Sequence, residues 1–189
     1  VEQTATLRMV PNLDVWRPCD SVEAFVAWQV ALEHKQAPTA LILTRQNLAH
    51  QARDEAQVAA IRKGGYVLKD CAGTPQAVII ATGSEVALAV AAQAKLAEQG
   101  VAVRVVSLPS SFAFEQQDAA YRASVLPRGI PRVAVEAGVT GYWRQYVGLE
   151  GAVVGIDRFG ECGPAAQVFE YLGITAAKVV EAVEKVVAA

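Results

Sequence analysis

The clearest indication of the fold comes from the segment AVIIATGSEVALAV, at residues 77–90. Its first five residues are apolar, and residues 82–84 then form a tight Thr-Gly-Ser loop. An uninterrupted apolar run of this length predicts a strand that is buried on both faces. The alanine-rich segment at 85–98 predicts a helix that ends before Gly100. A buried strand, a tight loop and a helix together form the repeating unit of an α/β sheet.

Towards the carboxyl terminus, apolar strands continue to alternate with helices. Pro109 closes one strand, and Pro164 stands at the favoured first-turn position of a later helix. Nearly all-apolar strands separated by helices predict an α/β fold whose sheet is covered on both faces. The predicted strands are 66–68, 77–81, 101–106, 132–135 and 152–156, and the predicted later helices are two short ones within 112–124, one at 142–147, one from 164 and one from 175.

Before residue 63 the pattern is less regular. Residues 1–19 are predicted to be loop, with room for one short strand. A helix capped by Asp20 or Ser21 is predicted to extend to about residue 33. Residues 39–43 predict a buried strand, and residues 54–62 a short polar helix.

A glycine pair at 64–65 interrupts the chain between these two patterns. Such a pair is a strong break in regular structure, so we expect a domain boundary beside it. Residues 1–62 would then be a partial α/β segment, and residues 63–189 a second domain.

Composition excludes several classes of protein. The 189 residues are 53% hydrophobic and 19% charged, with a net charge of −2, so the chain has enough apolar material for a core. The balanced charge lacks the basic surface that nucleic-acid binding requires, and no apolar run approaches the roughly 18 residues of a membrane span. We therefore expect neither nucleic acid nor a membrane as a partner.

The cysteines and the start of the chain give weaker indications. Cys19, Cys71 and Cys162 form no CxxC pair and no metal-ligand spacing, which favours idle thiols in a reducing cytoplasm. The sequence opens on Val1, has Met9 as its single methionine and lacks a signal-peptide pattern. We therefore expect the start of the gene product to be missing.

The Thr-Gly-Ser loop at 82–84 has two interpretations. Exposed N–H groups at a helix N-terminus favour anions, whereas Ser84 can simply cap the helix. One glycine matches neither a dinucleotide fingerprint nor a Walker loop, so capping is favoured. His34 and His50, the two histidines, lie in no recognisable nucleophile motif, and we predict no catalytic role for them.

Two later segments also hold candidate residues. In VEAGVTGYWRQYVG, at residues 135–148, Glu136 ends a strand, and ligands gather at such ends in open α/β sheets. The helical spacing of Tyr142, Trp143 and Tyr146 favours a core or subunit contact instead. Cys162 lies near a predicted helix start and is interpreted as part of a structural loop.

Arg45 raises a sharper question, because it follows the apolar run ALIL at residues 40–43. Its guanidinium carries a fork of donors that fits the oxygens of a phosphate group. A plain surface charge explains the same pattern. The residues considered so far leave both interpretations open.

Seven segments, in order along the whole chain, resemble the carboxyl-terminal end of transketolase, and the bacterial enzymes in particular. They are WRPCD, PTALILTRQNL, KGGYVLKD, IIATGSEV, AVRVVSLPSSFAFEQQDAAYRASVLP, RVAVEAG and YVGLEGAVVGIDRFGECGPA. The resemblance implies that residues 1–62 close the pyrimidine-binding domain and that residues 63–189 form the C-terminal domain. That domain would be a three-layer α/β/α unit with a mostly parallel, mixed five-stranded sheet, in which the strand near Tyr66 is antiparallel.

The resemblance also implies an activity. Transketolases transfer a two-carbon ketol unit between sugar phosphates with thiamine diphosphate and a divalent metal (Mg²⁺ or Ca²⁺), and they act as cytoplasmic homodimers. In the family, the arginine of an SRQNL motif binds the substrate's phosphate group. Here the motif reads TRQNL, so Thr44 keeps the hydroxyl and Arg45 is implied to bind phosphate. Cys162 stands where relatives often have serine, with no chemistry that we can name.

The family's metal, diphosphate and catalytic residues lie before the position of Val1. No catalytic, cofactor-binding or metal-binding residue is therefore predicted here, and we expect this chain alone to bind neither cofactor nor metal and to be inactive.

Two alternatives remain at this stage. The chain could be a stand-alone, non-catalytic binding or regulatory module with the same fold. It could also come from another thiamine enzyme, such as a deoxyxylulose-phosphate synthase or a dehydrogenase component, although TRQNL and GYVLKD favour transketolase. The partial segment at 1–62 favours a fragment, because a strand and helix without the rest of their sheet leave unpaired edges.

Overall fold

A computed structural model describes residues 1–188 and follows the predicted alternation of strands and helices. No helix in this part of the chain is both long and apolar enough to span a membrane. The helices are α1 (Gln3–Arg8), α2 (Ser21–Glu33), α3 (Glu55–Ile61), α4 (Val86–Glu98), α5 (Ser111–Glu115), α6 (Ala119–Val125), α7 (Arg144–Val147), α8 (Ala165–Leu172) and α9 (Ala176–Val187). The strands are β1 (Asp14–Trp16), β2 (Thr39–Leu41), β3 (Tyr66–Lys69), β4 (Ala77–Ala81), β5 (Val103–Ser107), β6 (Arg132–Val135) and β7 (Ala152–Val154).

The larger sheet has five strands in the order β3-β5-β4-β6-β7. β3 runs antiparallel to β5, and the other neighbouring pairs are parallel. β4 lies at the centre, and all of its residues are buried. A strand with neighbours at both edges and helices on both faces has no polar side, which explains the continuous apolar run in its sequence. The predicted mixed, mostly parallel five-stranded sheet is confirmed.

Two apolar clusters cover the two faces of this sheet. Ile79 packs on one face with residues from α4 and α9, including Leu96 and Val183. Ile80 packs on the other face with Phe114 of α5 and with Trp143. Successive residues of a strand point to opposite faces, so the adjacent isoleucines serve the two clusters. The predicted α/β/α layering is confirmed.

The amino-terminal segment is built on a two-stranded parallel sheet of β1 and β2. Side chains of this segment belong to the same apolar cluster as Ile79, among them Trp16 of β1, Ala27 of α2 and Ile61 of α3. Residues 1–62 therefore share a core with the residues that follow them.

Two predictions for this segment are wrong. Residues 3–8 were predicted to be loop but form α1, which has no side-chain cap at its start and so carries no local signal for a helix. The strand predicted to be buried over 39–43 ends at Leu41, and its residues are only half-buried. The reason is that β2 pairs with one strand alone, so the apolar run has too few neighbours to be enclosed.

Candidate functional site

Arg45 lies in residues 42–54, an irregular segment that joins the carboxyl end of β2 to α3 and that we call the Arg45 loop. Its side chain is exposed, and within residues 1–188 its guanidinium has no hydrogen-bond or ion-pair partner. The Thr44 hydroxyl accepts a hydrogen bond from the Gln46 N–H at 3.2 Å, which closes a local turn around Arg45. The guanidinium is therefore free to bind an anion.

A cavity of about 320 Å³ with a mixed polar and apolar lining lies beside this loop. Arg45 itself is not part of its lining, so the guanidinium lies outside this cavity. The cavity is lined by Pro18, Asp20, Ser21, Ala24, Leu43, Thr44, Gln46, Asn47, Leu48 and His50.

Asp20 ties the far end of the Arg45 loop to α2. One carboxylate oxygen, Oδ1, accepts the Glu23 N–H at 3.1 Å and so caps the helix. The other oxygen, Oδ2, accepts the Gln51 N–H at 2.9 Å and Arg53 Nη1 at 2.7 Å. The sequence predicted a cap at Asp20 or Ser21, and the structure shows Asp20 in this role. The sequence did not predict the bonds to the loop, because Arg53 is far from Asp20 along the chain.

Arg53 links this loop to the large sheet. Its Nε donates to Tyr66 Oη at 2.6 Å, and the Tyr66 hydroxyl donates in turn to Glu23 Oε1 at 2.8 Å. The Glu23 carboxylate also accepts from Ser107 Oγ at 2.6 Å and is fully buried. A helix, a loop and two strands thus meet in one buried polar network, which no short motif in the sequence could have indicated.

Burial and hydrogen bonding act in opposite directions on this network. Burial raises the pKa of Asp20, but the bonds from Arg53 and from two backbone N–H groups hold that pKa below its ordinary value. Burial lowers the pKa of Arg53, yet its bonds to Asp20 and Tyr66 leave it raised. Burial and the nearby Glu23 carboxylate raise the pKa of Tyr66 and of Cys19. The ion pair is therefore charged and the phenol and thiol are neutral near pH 7.

A second buried network surrounds Glu136, which follows β6 and is 2% exposed. Arg8 binds its carboxylate through two nitrogens, at 2.7 and 2.9 Å. Arg17 Nη1 lies 2.5 Å from Glu85 Oε2 and 3.3 Å from Glu136 Oε1. Although burial raises the pKa of Glu136, Arg8 and Arg17 hold it below the ordinary value.

This second network lies where a ligand would bind in an open α/β sheet, at the carboxyl ends of β4 and β6. Two arginines from the amino-terminal segment fill that place instead. Trp143 Nε1 donates to Glu136 Oε2 at 2.8 Å, and Trp143 is fully buried, so the predicted core role of this tryptophan is confirmed. Glu136 joins the two segments of the chain and is not open to a ligand.

The Thr-Gly-Ser loop is also closed to ligands. Arg17 Nη1 donates to the Thr82 carbonyl at 2.9 Å, and the Gly83 N–H donates to the Arg17 carbonyl at 3.0 Å. Ser84 makes no capping bond to the helix backbone; its hydroxyl contacts Glu85 and Arg17. The predicted cap at Ser84 is wrong, because residues 83–85 already form a 3-10 turn that runs into α4, so Ser84 lies inside the helical segment and not before it.

The histidines lie beside buried carboxylates. His34 Nδ1 is 3.8 Å from Asp14 Oδ2, and His50 Nδ1 is 3.7 Å from Asp20 Oδ2. The side chain of His50 is 63% exposed and borders the cavity beside the Arg45 loop. Cys162 is exposed in the loop before α8. That these residues are not catalytic stays a prediction.

The side chains of the described residues do not form a donor set that fits a resident metal. Within residues 1–188, no group of three or more His, Cys, Asp or Glu side chains could bind a metal ion. The buried carboxylates of Glu23, Glu85 and Glu136 are already bonded to arginine or hydroxyl groups. That the chain binds neither thiamine diphosphate nor metal stays a prediction.

Comparisons with known proteins match the two segments of the chain to two domains of one family. The family model of the transketolase pyrimidine-binding domain matches residues 1–51, and that of the transketolase-like C-terminal domain matches residues 64–175. Transketolase 1 of Escherichia coli K12 is 60% identical over 181 residues, which is 95% of this chain and 27% of that protein.

Solved structures give the same result. The transketolase of Leishmania mexicana superposes with a TM-score of 0.91 at 40% identity, over 97% of this chain and 26% of that chain. A split-gene transketolase, solved as an inactive β4 tetramer, superposes with a TM-score of 0.76 at 27% identity, over 98% of this chain and 61% of that chain. Because a domain model matches more than half of the chain and the same fold recurs in these structures, the chain belongs to the transketolase family.

Proposed function

We propose that this chain is the carboxyl-terminal portion of a transketolase, which transfers a two-carbon ketol unit between sugar phosphates in the pentose phosphate pathway. The longer protein would be a cytoplasmic homodimer. One observation carries the proposal: the models of the transketolase pyrimidine-binding and C-terminal domains match residues 1–51 and 64–175, in the order that the resemblance implies, and Arg45 is exposed in the TRQNL segment within the first match.

In the complete enzyme, Arg45 binds the phosphate group of the sugar substrate. Among the described residues its guanidinium has no hydrogen-bond or ion-pair partner, and its planar fork of N–H donors matches phosphate oxygens. A hydrogen bond to a charged group contributes about 1.5–3 kcal/mol. The phosphate lies away from the reacting carbons, so this binding energy lowers KM and orients the sugar without taking part in bond making.

The reaction itself needs groups that this chain does not supply. Thiamine diphosphate, with its divalent metal, provides the carbanion chemistry that side chains lack. The family resemblance places the ligands of that metal in a part of the longer protein outside this chain, and no group of three or more His, Cys, Asp or Glu side chains within residues 1–188 could bind it. We infer that the chain alone is inactive, and the inactive β4 tetramer of the split-gene relative supports this.

The test of Arg45 uses a chimera in which this chain replaces the matching segment of the Escherichia coli transketolase. Arg45→Gln in the chimera is expected to raise KM for a phosphorylated ketose about 10- to 100-fold. The kcat/KM for an unphosphorylated ketose should not change, because that substrate has no phosphate for Arg45 to bind.

Arg128→Gln is the matched control for this substitution, since Arg128 is also exposed and lies in the second domain. It should change neither substrate's KM. Equal losses for phosphorylated and unphosphorylated ketoses in Arg45→Gln would contradict the assignment of Arg45 as the phosphate ligand.

A second test addresses the inactivity of the chain alone. The pure 189-residue polypeptide is mixed with thiamine diphosphate, Mg²⁺, a phosphorylated ketose and an aldose phosphate, and no ketol transfer is expected. Turnover above the blank would overturn this inference.

A blot of the source cells against the carboxyl-terminal residues tests the alternative that the chain is a stand-alone binding module. A native band at 20.0 kDa would favour that alternative.

A further inference from the structure

We propose that Asp20, Arg53 and Tyr66 are positioning residues that hold the Arg45 loop in place, so that the C-terminal domain takes part in substrate binding through Tyr66. This inference rests on the proposed function, because it concerns the same phosphate site. It gives that domain a role beyond packing.

The Arg45 loop needs such a support because little else holds it. At its start, the Ile42 N–H donates to the Trp16 carbonyl at 2.8 Å. The next backbone hydrogen bond from the loop to another part of the described chain is the one from the Gln51 N–H to Asp20. Residues 43–50 are therefore anchored to the rest of the described chain by backbone hydrogen bonds at their two ends, from Ile42 and from Gln51. A residue that binds phosphate has to be held within a fraction of an ångström, so the second fixed point matters for Arg45.

Asp20 supplies this second point from a rigid place. It is 8% exposed and caps the first turn of α2 with one oxygen, while the other oxygen is left for the loop. Because the carboxylate is fixed by the helix, the Gln51 N–H has one place to bind. The position of the loop end is thus set by the helix and not by the loop's own sequence.

Arg53 makes this arrangement rigid. Its side chain is 1% exposed, and its Nη1 binds both Asp20 Oδ2 and the Gln51 carbonyl at 2.7 Å. The Gln51 backbone is therefore held by its N–H and by its carbonyl, through two different side chains. The Nε of the same guanidinium binds Tyr66 Oη, and Tyr66 is fixed in β3 of the large sheet.

The bonds between Asp20, Arg53 and Tyr66 are better suited to fixing the geometry of the Arg45 loop than to stabilising the folded chain. Buried ion pairs contribute little net stability compared with well-packed apolar groups, because desolvation offsets their attraction. Their directional bonds do fix geometry. Nη2 of Arg53 contacts Cys19 Sγ at 3.2 Å and Glu23 Oε1 at 3.5 Å, so the planar guanidinium is held at all three nitrogens and cannot rotate. The network ends at Gln51, close to the one exposed arginine that the family resemblance assigns to substrate.

The first test measures hydrogen exchange in the 189-residue chain itself, with Tyr66→Phe. This substitution keeps the ring but removes the acceptor for Arg53 Nε and the donor for Glu23. Backbone amides at residues 46–51 are expected to exchange about 2- to 10-fold faster than in the parent chain. The matched control is Tyr142→Phe, which removes a hydroxyl bonded to Ser111 Oγ at 2.6 Å, in a different part of the molecule. It should leave those amides unchanged.

The second test measures kinetics in the same chimera. Tyr66→Phe is expected to raise KM for a phosphorylated ketose about 3- to 10-fold with kcat little changed, and to leave the unphosphorylated ketose unaffected. A merely structural role would lower the rates for both ketoses. If Tyr66→Phe prevents folding, Asp20→Asn serves instead: the amide oxygen can still cap α2, but its NH₂ group then faces the donors of Gln51 and Arg53.

The outcomes separate the two proposals. If Arg45→Gln raises KM selectively, but Tyr66→Phe changes neither the exchange of residues 46–51 nor the KM for the phosphorylated ketose, the positioning role is overturned and the proposed function stands. If Arg45→Gln has no selective effect, the proposed phosphate site fails, and the positioning role fails with it. A selective rise of KM in Tyr66→Phe or Asp20→Asn, together with faster exchange in the loop, supports the positioning role.

Discussion

The helices α2 and α4 are equally long, with 13 residues each, and both are rich in apolar side chains. α4 buries a regular stripe of four residues against the large sheet and beside α9, namely Val86, Ala89, Ala92 and Leu96. α2 instead exposes Phe25, Trp28 and Leu32, which are 63%, 53% and 67% exposed. The apolar content of a helix therefore does not by itself show that its side chains are buried. Burial depends on which other elements pack against the helix in the folded chain.

The strands repeat this contrast. β4 and β2 both lie in apolar stretches of the sequence. β4 is fully buried between two neighbouring strands, whereas β2 has one neighbouring strand and is half-buried. The two regions also differ in how they are held: the large sheet by apolar packing, and its junction with residues 1–62 by apolar packing together with buried charges. Four stability measurements test this difference between the large sheet and residues 1–62.

The largest effect is expected at the buried junction. Arg8→Met leaves Glu136 without its main partner in a place where the side chains are 2% and 3% exposed. Removing one partner of a buried ion pair lowers the free energy of unfolding by about 3–5 kcal/mol. Urea denaturation measures the loss. The matched control, Arg62→Met, breaks the surface pair with Glu33, where the side chains are 46% and 58% exposed, and should change stability far less, because solvent screens an exposed pair. Similar losses in the two variants would refute the distinction.

The next effect compares the cores. Ile79→Ala removes a fully buried side chain from β4 and is expected to lower the free energy of unfolding by about 2–5 kcal/mol, because the rigid sheet cannot collapse into the cavity. Leu32→Ala on α2 should lower it by no more than about 0.5 kcal/mol. The same denaturation assay compares them, and an equal loss would mean that α2 is enclosed in solution.

A third measurement follows stability with pH. The pKa of Glu136 in the folded chain lies below its ordinary value of 4.5, so the unfolded chain binds more protons as the pH falls. Its contribution is therefore complete above pH 4.5 and is lost as the pH falls below that value. One such group gives a slope of at most about 1.4 kcal/mol per pH unit. Glu136→Gln should flatten the curve of unfolding free energy against pH below 4.5 and leave its slope above 4.5 unchanged. If the curves of the variant and the parent chain are parallel below pH 4.5, Glu136 is not the source of the loss of stability.

The smallest effect is expected on the exposed face of α2. Trp28→Gln replaces an indole that is 53% exposed, and it should alter the free energy of unfolding by about 0.5 kcal/mol or less. A larger loss in thermal or urea denaturation would show that the indole is packed in solution.

Much of the fold was predictable because its signals are local. The strand at 77–81 and the helix at 85–98 follow from apolar runs and from the glycines that end them, and the break at 64–65 separates them from the earlier segment. The mixed order of the sheet came from the resemblance, since pairing partners such as β3 and β5 are distant in the sequence. For the site, TRQNL pointed to Arg45, but nothing near it indicated Tyr66.

Local patterns in the chain therefore determine which elements form and which side chains require burial, because hydrogen bonds within a helix and alternation along a strand act over a few residues. Tertiary structure decided the rest. Arg8 and Arg17 fill the carboxyl edge of the sheet, Arg17 also bonds the Thr82 carbonyl of the Thr-Gly-Ser loop, and Asp20 binds the end of the Arg45 loop. Each of these depends on charges brought together from distant parts of the chain, and in a buried place a charge must find its partner wherever the fold supplies one.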